Sequence, residues 1–400
     1  MARGGGPPQG IGCVARDQGW ARRERFVEGE MLYLNCAGLS RERPESREEA
    51  CTVQAEFETM LFSESGVRWY TSQLDRCRRA IQDFVQIQKN DTAPNVVFVS
   101  NATTACQIIL SNIVLGDGDV VLASDQEHPG IIRSLIRLQR NGVRLQLIGG
   151  ESEDEFCRNL EQALSTHHAR LLILSHVAYT DGRVFPLGRI GAIAKEQNLI
   201  VAVDGTQAAG HIPIDLRGSD VDFYFFAGHK WCCGPMGTGV LLISRNGTNA
   251  EIGNIQNDFE LGTQRVGLIA GLVRACALKR DELPTATTYL RRLQDRLVTL
   301  IQSVHGVRLR RWDGAHAPGI CTLQLQGDRV ISSLLAEYLL QHDGIAIKPF
   351  TYPEHLGLIR ISYSQSTNES EIRTVVDRLV DALRHFNVSE AGQGNEQPAL

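Results

Sequence analysis

The sequence predicts an α/β protein in which a large domain holds a mainly parallel, seven-stranded sheet and a smaller α+β domain follows it. Three observations support this fold class. The chain has 400 residues, more than one ordinary hydrophobic core accommodates. From about residue 95, short β-rich runs alternate with amphipathic segments, as in crossover units whose parallel strands are covered by helices on both faces. Polar motifs follow these runs, at the strand ends where α/β proteins bind ligands.

Seven β-rich runs account for the strands of the predicted large sheet. They cover residues 96–100, 120–124, 145–148, 171–177, 200–204, 223–226 and 239–243. The polar motifs that follow them lie at residues 100–104, 127–129, 175–176, 204 and 229–230. Because ligands bind beyond the carboxyl ends of such strands, we expect the motifs to contribute to one site.

The pattern becomes helical after residue 262, through residues 268–280 and 289–304. A smaller α+β unit comes next. Its predicted strands cover residues 320–325, 344–348 and 358–363, and its predicted helices cover residues 332–341 and 369–385.

These patterns predict two domains and two tails. Residues 31–280 form the expected large domain, whose N-terminal segment contributes to the small one, and residues 281–386 form the small domain. We expect residues 1–30, which begin with a Gly/Pro-rich stretch, and the polar residues 387–400 to be flexible.

Composition favours a soluble enzyme with a small-molecule substrate. With 41 basic and 46 acidic residues the net charge is −5, and no long basic run recommends nucleic acid or an anionic membrane as a partner. No apolar stretch approaches the roughly 20 residues that span a bilayer, and the start lacks the apolar region of a secretory signal. The 10 cysteines lack CxxC spacing, which argues against a metal site and a disulfide framework and favours the cytoplasm.

An acid and a lysine at successive strand ends are the most informative feature. Asp204 closes the run at residues 200–204, and Lys230 follows the run at residues 223–226. Pyridoxal 5′-phosphate needs a lysine amine for its covalent attachment and an acid beside its ring nitrogen, so that the ring can act as an electron sink. The pair therefore predicts this cofactor.

The motifs resemble those of the fold-type I pyridoxal phosphate enzymes of the class V aminotransferase and cysteine desulfurase superfamily, over roughly residues 32–383. The sequences at residues 127–132 (Glu-His-Pro-Gly-Ile-Ile), 228–231 (Gly-His-Lys-Trp) and 233–235 (Cys-Gly-Pro) are most similar to the cystine C–S lyase branch. That branch neighbours ergothioneine-pathway sulfoxide lyases and isopenicillin N epimerases.

The resemblance implies roles for four residues around the cofactor ring. Lys230 corresponds to the lysine that holds the cofactor and later removes the substrate Cα proton, so its loss should abolish turnover. Asp204 corresponds to the acid that pairs with the ring nitrogen. Gln207 corresponds to the side chain that hydrogen-bonds the phenolic oxygen, and His128 to the histidine that stacks on the ring. Of these, Lys230, Asp204 and His128 are the predicted catalytic residues.

The resemblance also implies ligands for the cofactor phosphate. Thr103 and Thr104 precede an apolar segment, where a helix N-terminus would favour an anion, and His229 matches a further ligand. Ala227 stands where the family often has serine. Thr263 resembles the threonine that reaches the cofactor of a neighbouring subunit, which implies a homodimer; a simple turn threonine is an equal alternative.

Arg360 aligns with the arginine that binds the substrate α-carboxylate, a task suited to a bidentate guanidinium. The flanking Ile359 and Ile361 place it on the opposite face of the strand, as expected for a pocket residue. Tyr179 stands where desulfurases commonly have an asparagine near the cofactor oxygen. Desulfurases also carry a mobile cysteine before this segment, but residues 349–355 contain none, and Cys321 lies on a predicted buried strand.

The leading hypothesis is therefore a lyase that eliminates a sulfur group from a cysteine-type amino acid. An aminotransferase or epimerase is the alternative, since all three share removal of the Cα proton, and a desulfurase comes third. A non-catalytic protein on a degenerate scaffold is disfavoured because the chain retains Lys230, Asp204, Gln207, His128 and Arg360 together.

Overall fold

A computed structural model describes residues 31–61, 63–87, 95–244, 262–326, 331–352 and 355–386. The predicted tails at residues 1–30 and 387–400 lie outside the described residues.

The described chain begins with a short strand and two helices. These are β1 (Leu32–Tyr33), α1 (Pro44–Glu58) and α2 (Glu64–Phe84). Pro44 occupies the first turn of α1, where its missing N–H costs nothing, and the Ser63 side chain caps α2 by accepting the Gly66 amide. The sequence patterns had not predicted either helix.

Seven strands form the large sheet, in agreement with the predicted fold class. They are β2 (Asn95–Val99), β3 (Val120–Ser124), β4 (Arg144–Ile148), β5 (Ala169–Ser175), β6 (Ile200–Asp204), β7 (Phe223–Ala227) and β8 (Gly239–Ile243). Their spatial order is β2-β8-β7-β6-β5-β3-β4, and every pairing is parallel except the two that β8 makes. In β5 and β6 the last residues, Ser175 and Asp204, are directly paired, which aligns the two strand ends.

Helices cover both faces of this sheet. They are α3 (Ala102–Asn112), α4 (Pro129–Leu138), α5 (Glu153–Thr166) and α6 (Leu187–Glu196). Alternate residues of the strands belong to two different hydrophobic clusters: in β3, Val121 packs with α3 and α4, whereas Leu122 packs with α2, α5 and α6. Burial on both faces explains why the strands read as continuous apolar runs.

The long helix α7 (Val266–Ile301) connects the two parts of the fold. Separate helical segments at residues 268–280 and 289–304 were expected, but the structure continues through Pro284 as one 36-residue helix. Its first half packs closely on α1: a Cβ atom at Gly267 would lie 2.5 Å from the Ala50 carbonyl oxygen, so only glycine fits. The predicted boundary between the large and small domains, after residue 280, falls inside this helix. The division into these two domains stays a prediction.

The C-terminal part contains a four-stranded antiparallel sheet. Its elements are β9 (Val307–Arg310), β10 (Ile320–Leu325), α8 (Ile331–Asp343), β11 (Ile345–Ala346), β12 (Lys348–Pro349), β13 (Leu358–Ser362) and α9 (Glu369–His385). The sheet order is β12-β13-β10-β9, while β1 from the start of the chain pairs with β11. The single strand predicted at residues 344–348 is thus two short strands in different sheets. Asn368 and Glu371 form a capping box that begins α9 at the predicted residue.

Two searches of the described residues gave negative results. No helix among them is both long enough and apolar enough to cross a membrane. Nor does this part of the chain gather three or more His, Cys, Asp or Glu side chains in a way that could hold a metal ion.

Leu293→Ala tests the packing of α7 in the C-terminal hydrophobic cluster, a separate core in which Leu293 lies with Leu323 and Ile359. Leu293 is fully buried there, so the cavity left by truncation should lower the free energy of unfolding by about 2–5 kcal/mol. Urea denaturation followed by circular dichroism measures the change. Arg291→Ala, at an exposed position of the same helix, is the control and should stay within about 0.5 kcal/mol of wild type. A matching small effect for Leu293→Ala would contradict the assigned packing.

Candidate active site

A cavity of about 380 Å³ lies beyond the carboxyl ends of the central strands and extends to β12 and β13. Eight of the ten predicted site residues line it: Thr103, His128, Tyr179, Asp204, Gln207, His229, Lys230 and Arg360. The fold therefore brings together motifs that are far apart in the sequence. Thr104 and Thr263 do not line this cavity.

Lys230 follows β7 and presents its amine to the cavity. Burial lowers the pKa of the amine to about 8, with Asp204 opposing the shift and the Arg360 guanidinium adding to it. A substantial fraction of Lys230 is therefore neutral near physiological pH, as a nucleophile or a general base requires.

Asp204 ends β6 as a buried carboxyl group. Its Oδ1 accepts the Thr206 amide at 2.8 Å. Burial raises the pKa of this carboxyl, while hydrogen bonding from Thr206 and the charge of Lys230 act in the opposite direction. The structure records no ion pair between the described side chains of Asp204 and Lys230, so the two charges interact without direct contact. A cationic ring nitrogen would supply the partner that a buried carboxylate needs.

The orientation of the Gln207 amide is set by its neighbours. The Trp231 indole N–H donates to Gln207 Oε1 at 2.6 Å, and Gln207 Nε2 donates to the Ala37 carbonyl at 2.9 Å. Since an indole can only donate, the oxygen of Gln207 must face Trp231. The second hydrogen of Nε2 remains to donate to a ligand oxygen in the cavity, as the predicted contact with a phenolic oxygen requires.

His211 holds Trp231 in place. The two rings stack with centroids 3.6 Å apart and an interplanar angle of 7°. The Gly319 amide donates to His211 Nε2, so Nδ1 carries the hydrogen and donates to the Gln207 carbonyl at 2.9 Å. Burial lowers the pKa of His211 to about 3, which keeps the ring neutral. Sequence reasoning missed His211, because its partner Gly319 lies far from it along the chain.

His128 caps α4 and also lines the cavity. Its Nδ1 accepts the Gly130 amide at 3.1 Å, and its ring meets Tyr179 edge-on with centroids 5.2 Å apart. His128 is exposed at the cavity, but desolvation by its neighbours and positive charges led by Lys230 both lower the pKa of its imidazole. The imidazole is therefore neutral, and neutral rings suit stacking on a cationic cofactor ring.

Glu127 is a second residue that sequence reasoning passed over, although it belongs to the motif containing His128. Its buried carboxyl accepts from Ser124 Oγ at 2.5 Å and from the Ser175 amide and hydroxyl at 2.7 and 2.9 Å. Burial raises the pKa of Glu127 to about 8. These bonds tie the end of β3 to the end of β5, whose last residue, Ser175, lines the cavity.

The N-terminus of α3 provides the predicted phosphate region. Asn101 caps the helix by accepting the Thr104 amide at 2.9 Å, and the Thr104 hydroxyl also bonds to the Asn101 and Ser100 side chains. Thr103 and His229 line the cavity beside this helix end. The assignment of Thr104 as a ligand of the cofactor phosphate stays a prediction. Thr263 is exposed, and its predicted contact with the cofactor of a neighbouring subunit also stays a prediction.

Arg360 is buried on β13 with its guanidinium incompletely satisfied. Nη1 donates to the Tyr179 carbonyl at 2.6 Å and Nη2 to Asn35 Oδ1 at 3.3 Å, while Nε has no acceptor among the described residues. Burial lowers the pKa of Arg360 to about 10. Ile359 and Ile361 pack in the C-terminal hydrophobic cluster, on the other face of the strand as predicted. A buried cation without a counterion calls for an anionic ligand.

Family comparison agrees with this site. Residues 65–349 match the class-V aminotransferase family, and the chain belongs to that family. A cysteine desulfurase from Nostoc sp. is 24% identical over 363 residues, covering 83% of this chain and 90% of its own length. Cysteine desulfurase IscS from Salmonella arizonae is 26% identical over 327 residues, covering 74% of this chain and 80% of the relative.

Solved structures share the fold. The cystine C–S lyase C-DES, in complex with its reaction product cysteine persulfide, has a TM-score of 0.76 at 24% identity and covers 88% of this chain and 97% of its own. A NifS-like protein from Rickettsia africae has a TM-score of 0.73 at 20% identity, covering 88% of this chain and 99% of its own. The predicted resemblance and fold class are confirmed, and so is pyridoxal 5′-phosphate, the cofactor of this family.

Trp231→Phe tests the orientation of Gln207. Phenylalanine keeps an aromatic ring beside His211 but removes the N–H that fixes Gln207 Oε1, so the affinity of the apoprotein for pyridoxal phosphate should fall about tenfold. Fluorescence titration measures the affinity, and the visible absorbance band should shift as well. Trp69→Phe, which removes an indole bonded to Glu56 away from the cavity, is the matched control. Unchanged affinity and spectrum in Trp231→Phe would refute the assignment.

The lowered pKa of Lys230 predicts how cofactor attachment depends on pH. Only the neutral amine reacts with an aldehyde, so the attachment rate should rise with pH and level off above about 8, instead of rising towards the ordinary lysine pKa of 10.5. Stopped-flow absorbance on the apoprotein measures this rate. Asp204→Asn removes the anion that supports the charged amine, and should move the midpoint to lower pH. A rate that still climbs steeply above about pH 9 would contradict the assigned burial of the amine.

Proposed function

We propose that this protein is a pyridoxal phosphate-dependent lyase that removes the Cα proton of a sulfur-containing amino acid and eliminates the sulfur group from Cβ. One observation carries the proposal. The cavity joins the Lys230 amine, the buried Asp204 carboxyl and the unneutralised Arg360 guanidinium, and none of its described lining residues is a cysteine.

The residues of the cavity fit the cofactor. Lys230 offers the amine that attaches to it, Asp204 an acid for the ring nitrogen, and the spare N–H of Gln207 a donor for the phenolic oxygen. His128 offers a ring that can stack on the cofactor, and Tyr179, in edge contact with His128, is assigned to the neighbourhood of the cofactor oxygen. The phosphate is assigned to Thr103, Thr104 and His229 at the start of α3, with Thr263 contributing from a second subunit.

The cofactor supplies an electron sink that makes the Cα–H and Cβ–S bonds of the bound amino acid labile. The protein supplies orientation and proton transfer. Arg360 binds the α-carboxylate through its unsatisfied Nε and the adjacent N–H groups, which directs the substrate towards Lys230. Lys230, with a pKa of about 8, then takes the Cα proton.

Cysteine placement favours elimination over persulfide transfer to a protein thiol. Residues 349–355 contain no cysteine. Cys321 is buried on β10, and Cys36 is buried next to Ala37, which lines the cavity; burial raises the pKa of each thiol to about 12. Thiols of that kind are poor nucleophiles, because the thiolate is the reactive form. A cysteine desulfurase is therefore the less favoured candidate, despite the relatives that bear this name.

The class-V aminotransferase match supports a second candidate function, transamination. Aminotransferases and epimerases also begin with proton removal by the lysine, and differ in the carbon to which the proton returns. Residue placement around Lys230 is compatible with each of these outcomes.

Three further expectations belong to this proposal. The active unit is a homodimer that shares Thr263 between subunits, the protein acts in the cytoplasm, and residues 31–280 and 281–386 form its large and small domains. Analytical ultracentrifugation of the holoenzyme tests the first of these.

Incubation of the purified holoenzyme with cystine, cysteine and a cysteine sulfoxide conjugate tests the reaction. We expect pyruvate and ammonia from at least one of them, and no activity in Lys230→Ala, which should also lose borohydride-stable attachment of the cofactor. Lys195→Ala, at an exposed position on α6, is the control for loss of a lysine. Formation of the pyridoxamine form with an amino donor would instead indicate transamination, and absence of pyruvate from all substrates would reject the lyase.

A further inference from the structure

The Ser-His motif at residues 175–176 closes β5 and takes no part in the proposed reaction. Ser175 is buried, lines the cavity and is paired across the sheet with Asp204, the acid assigned to the cofactor ring. Its hydroxyl oxygen lies 2.9 Å from Glu127 Oε2. The Ser175 side chain therefore contacts both the cavity and a second buried carboxyl group.

Glu127 has no counterion in the part of the chain that the structure describes. Its side chain is 3% exposed, and none of the ion pairs between described residues includes it. Burial raises the pKa of Glu127 to about 8, and the negative charge of Asp204 adds to this shift, while hydrogen bonds from serine oppose it. When two buried carboxyl groups act on each other in this way, one ionises and the other keeps its proton.

The negative charge of the pair belongs to Asp204. The hydrogen bonds from Thr206 and the charge of Lys230 favour the ionised form of Asp204, although its burial does not. Cys106, on α3, interacts with both carboxyl groups, and burial together with their charges raises the pKa of its thiol, so that it adds no charge of its own. Glu127 is therefore the neutral member of the pair near neutral pH.

The hydrogen bonds of Glu127 determine which oxygen holds the proton. Oε1 already accepts the Ser175 amide at 2.7 Å and lies 2.5 Å from the Ser124 hydroxyl. Oε2 has the Ser175 hydroxyl as its single partner among the described residues. Since a hydroxyl can accept as well as donate, a proton on Oε2 is donated to Ser175 Oγ. The hydrogen of that hydroxyl then needs another acceptor, and the cavity is where a ligand supplies one.

We propose that Glu127 holds a proton and donates it in a hydrogen bond to Ser175 Oγ, so that the Ser175 hydroxyl donates to an acceptor atom of the bound cofactor. Ser175 is thus a further cofactor-binding residue, and Glu127 is a positioning residue that acts through it. Asp204 remains the ionised carboxyl beside the ring. This arrangement concerns the cofactor site alone and is independent of the reaction that follows.

Binding of pyridoxamine 5′-phosphate tests the inference, because this form of the cofactor occupies the site but cannot attach to Lys230. Ser175→Ala removes one hydrogen bond and should weaken binding to the apoprotein about fivefold near neutral pH. Glu127→Met cannot orient Ser175 and should weaken binding at least as much. Glu127→Gln should restore binding to within about twofold of wild type, because its carbonyl accepts the Ser175 amide and its NH2 group donates to Ser175 Oγ, as the protonated acid does. Isothermal titration calorimetry measures each affinity.

The pH dependence of binding separates a positioning role from a purely structural one. Above about pH 9 Glu127 is ionised and takes back the hydrogen of the Ser175 hydroxyl, so wild type should bind about fivefold more weakly than Glu127→Gln. Using the ratio of the two affinities cancels the titration of the ligand. Glu161→Gln, at an exposed position on α5, is the control and should match wild type at every pH. A ratio that does not change with pH, or wild-type binding by Ser175→Ala, overturns the inference.

Infrared spectroscopy gives a second measurement that needs no change at Glu127. Wild type should have the C=O stretching band of a protonated carboxyl group, and this band should lose intensity as the pH rises through about 8. In Ser175→Ala the band should move to higher frequency, because the acid has lost its acceptor. Absence of the band near neutral pH, or a band that Ser175→Ala leaves unchanged, contradicts the inference whether or not pyruvate is formed from any substrate.

Discussion

The active cavity depends on placing a buried carboxyl and a desolvated amine at one end of a parallel sheet. Asp204 ends β6 and is paired with Phe225 of β7, the strand that Lys230 follows. Burial disfavours the charged form of both groups, raising the pKa of the acid and lowering that of the lysine. Such an arrangement costs stability in the empty protein and becomes favourable when a ligand contributes the complementary charges.

Packing between distant parts of the chain maintains this arrangement. The Ala37 amide donates to the Ser362 hydroxyl at 3.0 Å, and the Ala37 carbonyl accepts from Gln207. His211 connects the same network to Gly319. The segment at Ala37, the large sheet and the C-terminal sheet thus meet in one hydrogen-bond network that includes Gln207.

A fold positions chemical groups without determining the reaction, so the outcome depends on the groups around the Lys230 amine and the Asp204 carboxyl. The loop at residues 349–355 lacks the thiol of a desulfurase, and Lys348, one residue before it, brings a cation instead. Lys348 is paired with Arg360 on the neighbouring strand. This short segment of the C-terminal sheet therefore contributes a cation and no thiol.

Local sequence alone determined the bounds of the seven strands of the large sheet to within two residues at either end. It also determined the bounds of the helix Glu369–His385. Both were readable because apolar strand runs and helix caps involve only a few neighbouring residues. It also indicated Lys230, Asp204 and Arg360, which occupy recognisable motifs. Only the tertiary structure revealed the continuity of α7 through Pro284 and the approach of Lys348 to Arg360. Packing against distant elements overrides the local preference of proline, and contacts between strands depend on register, which no single segment encodes.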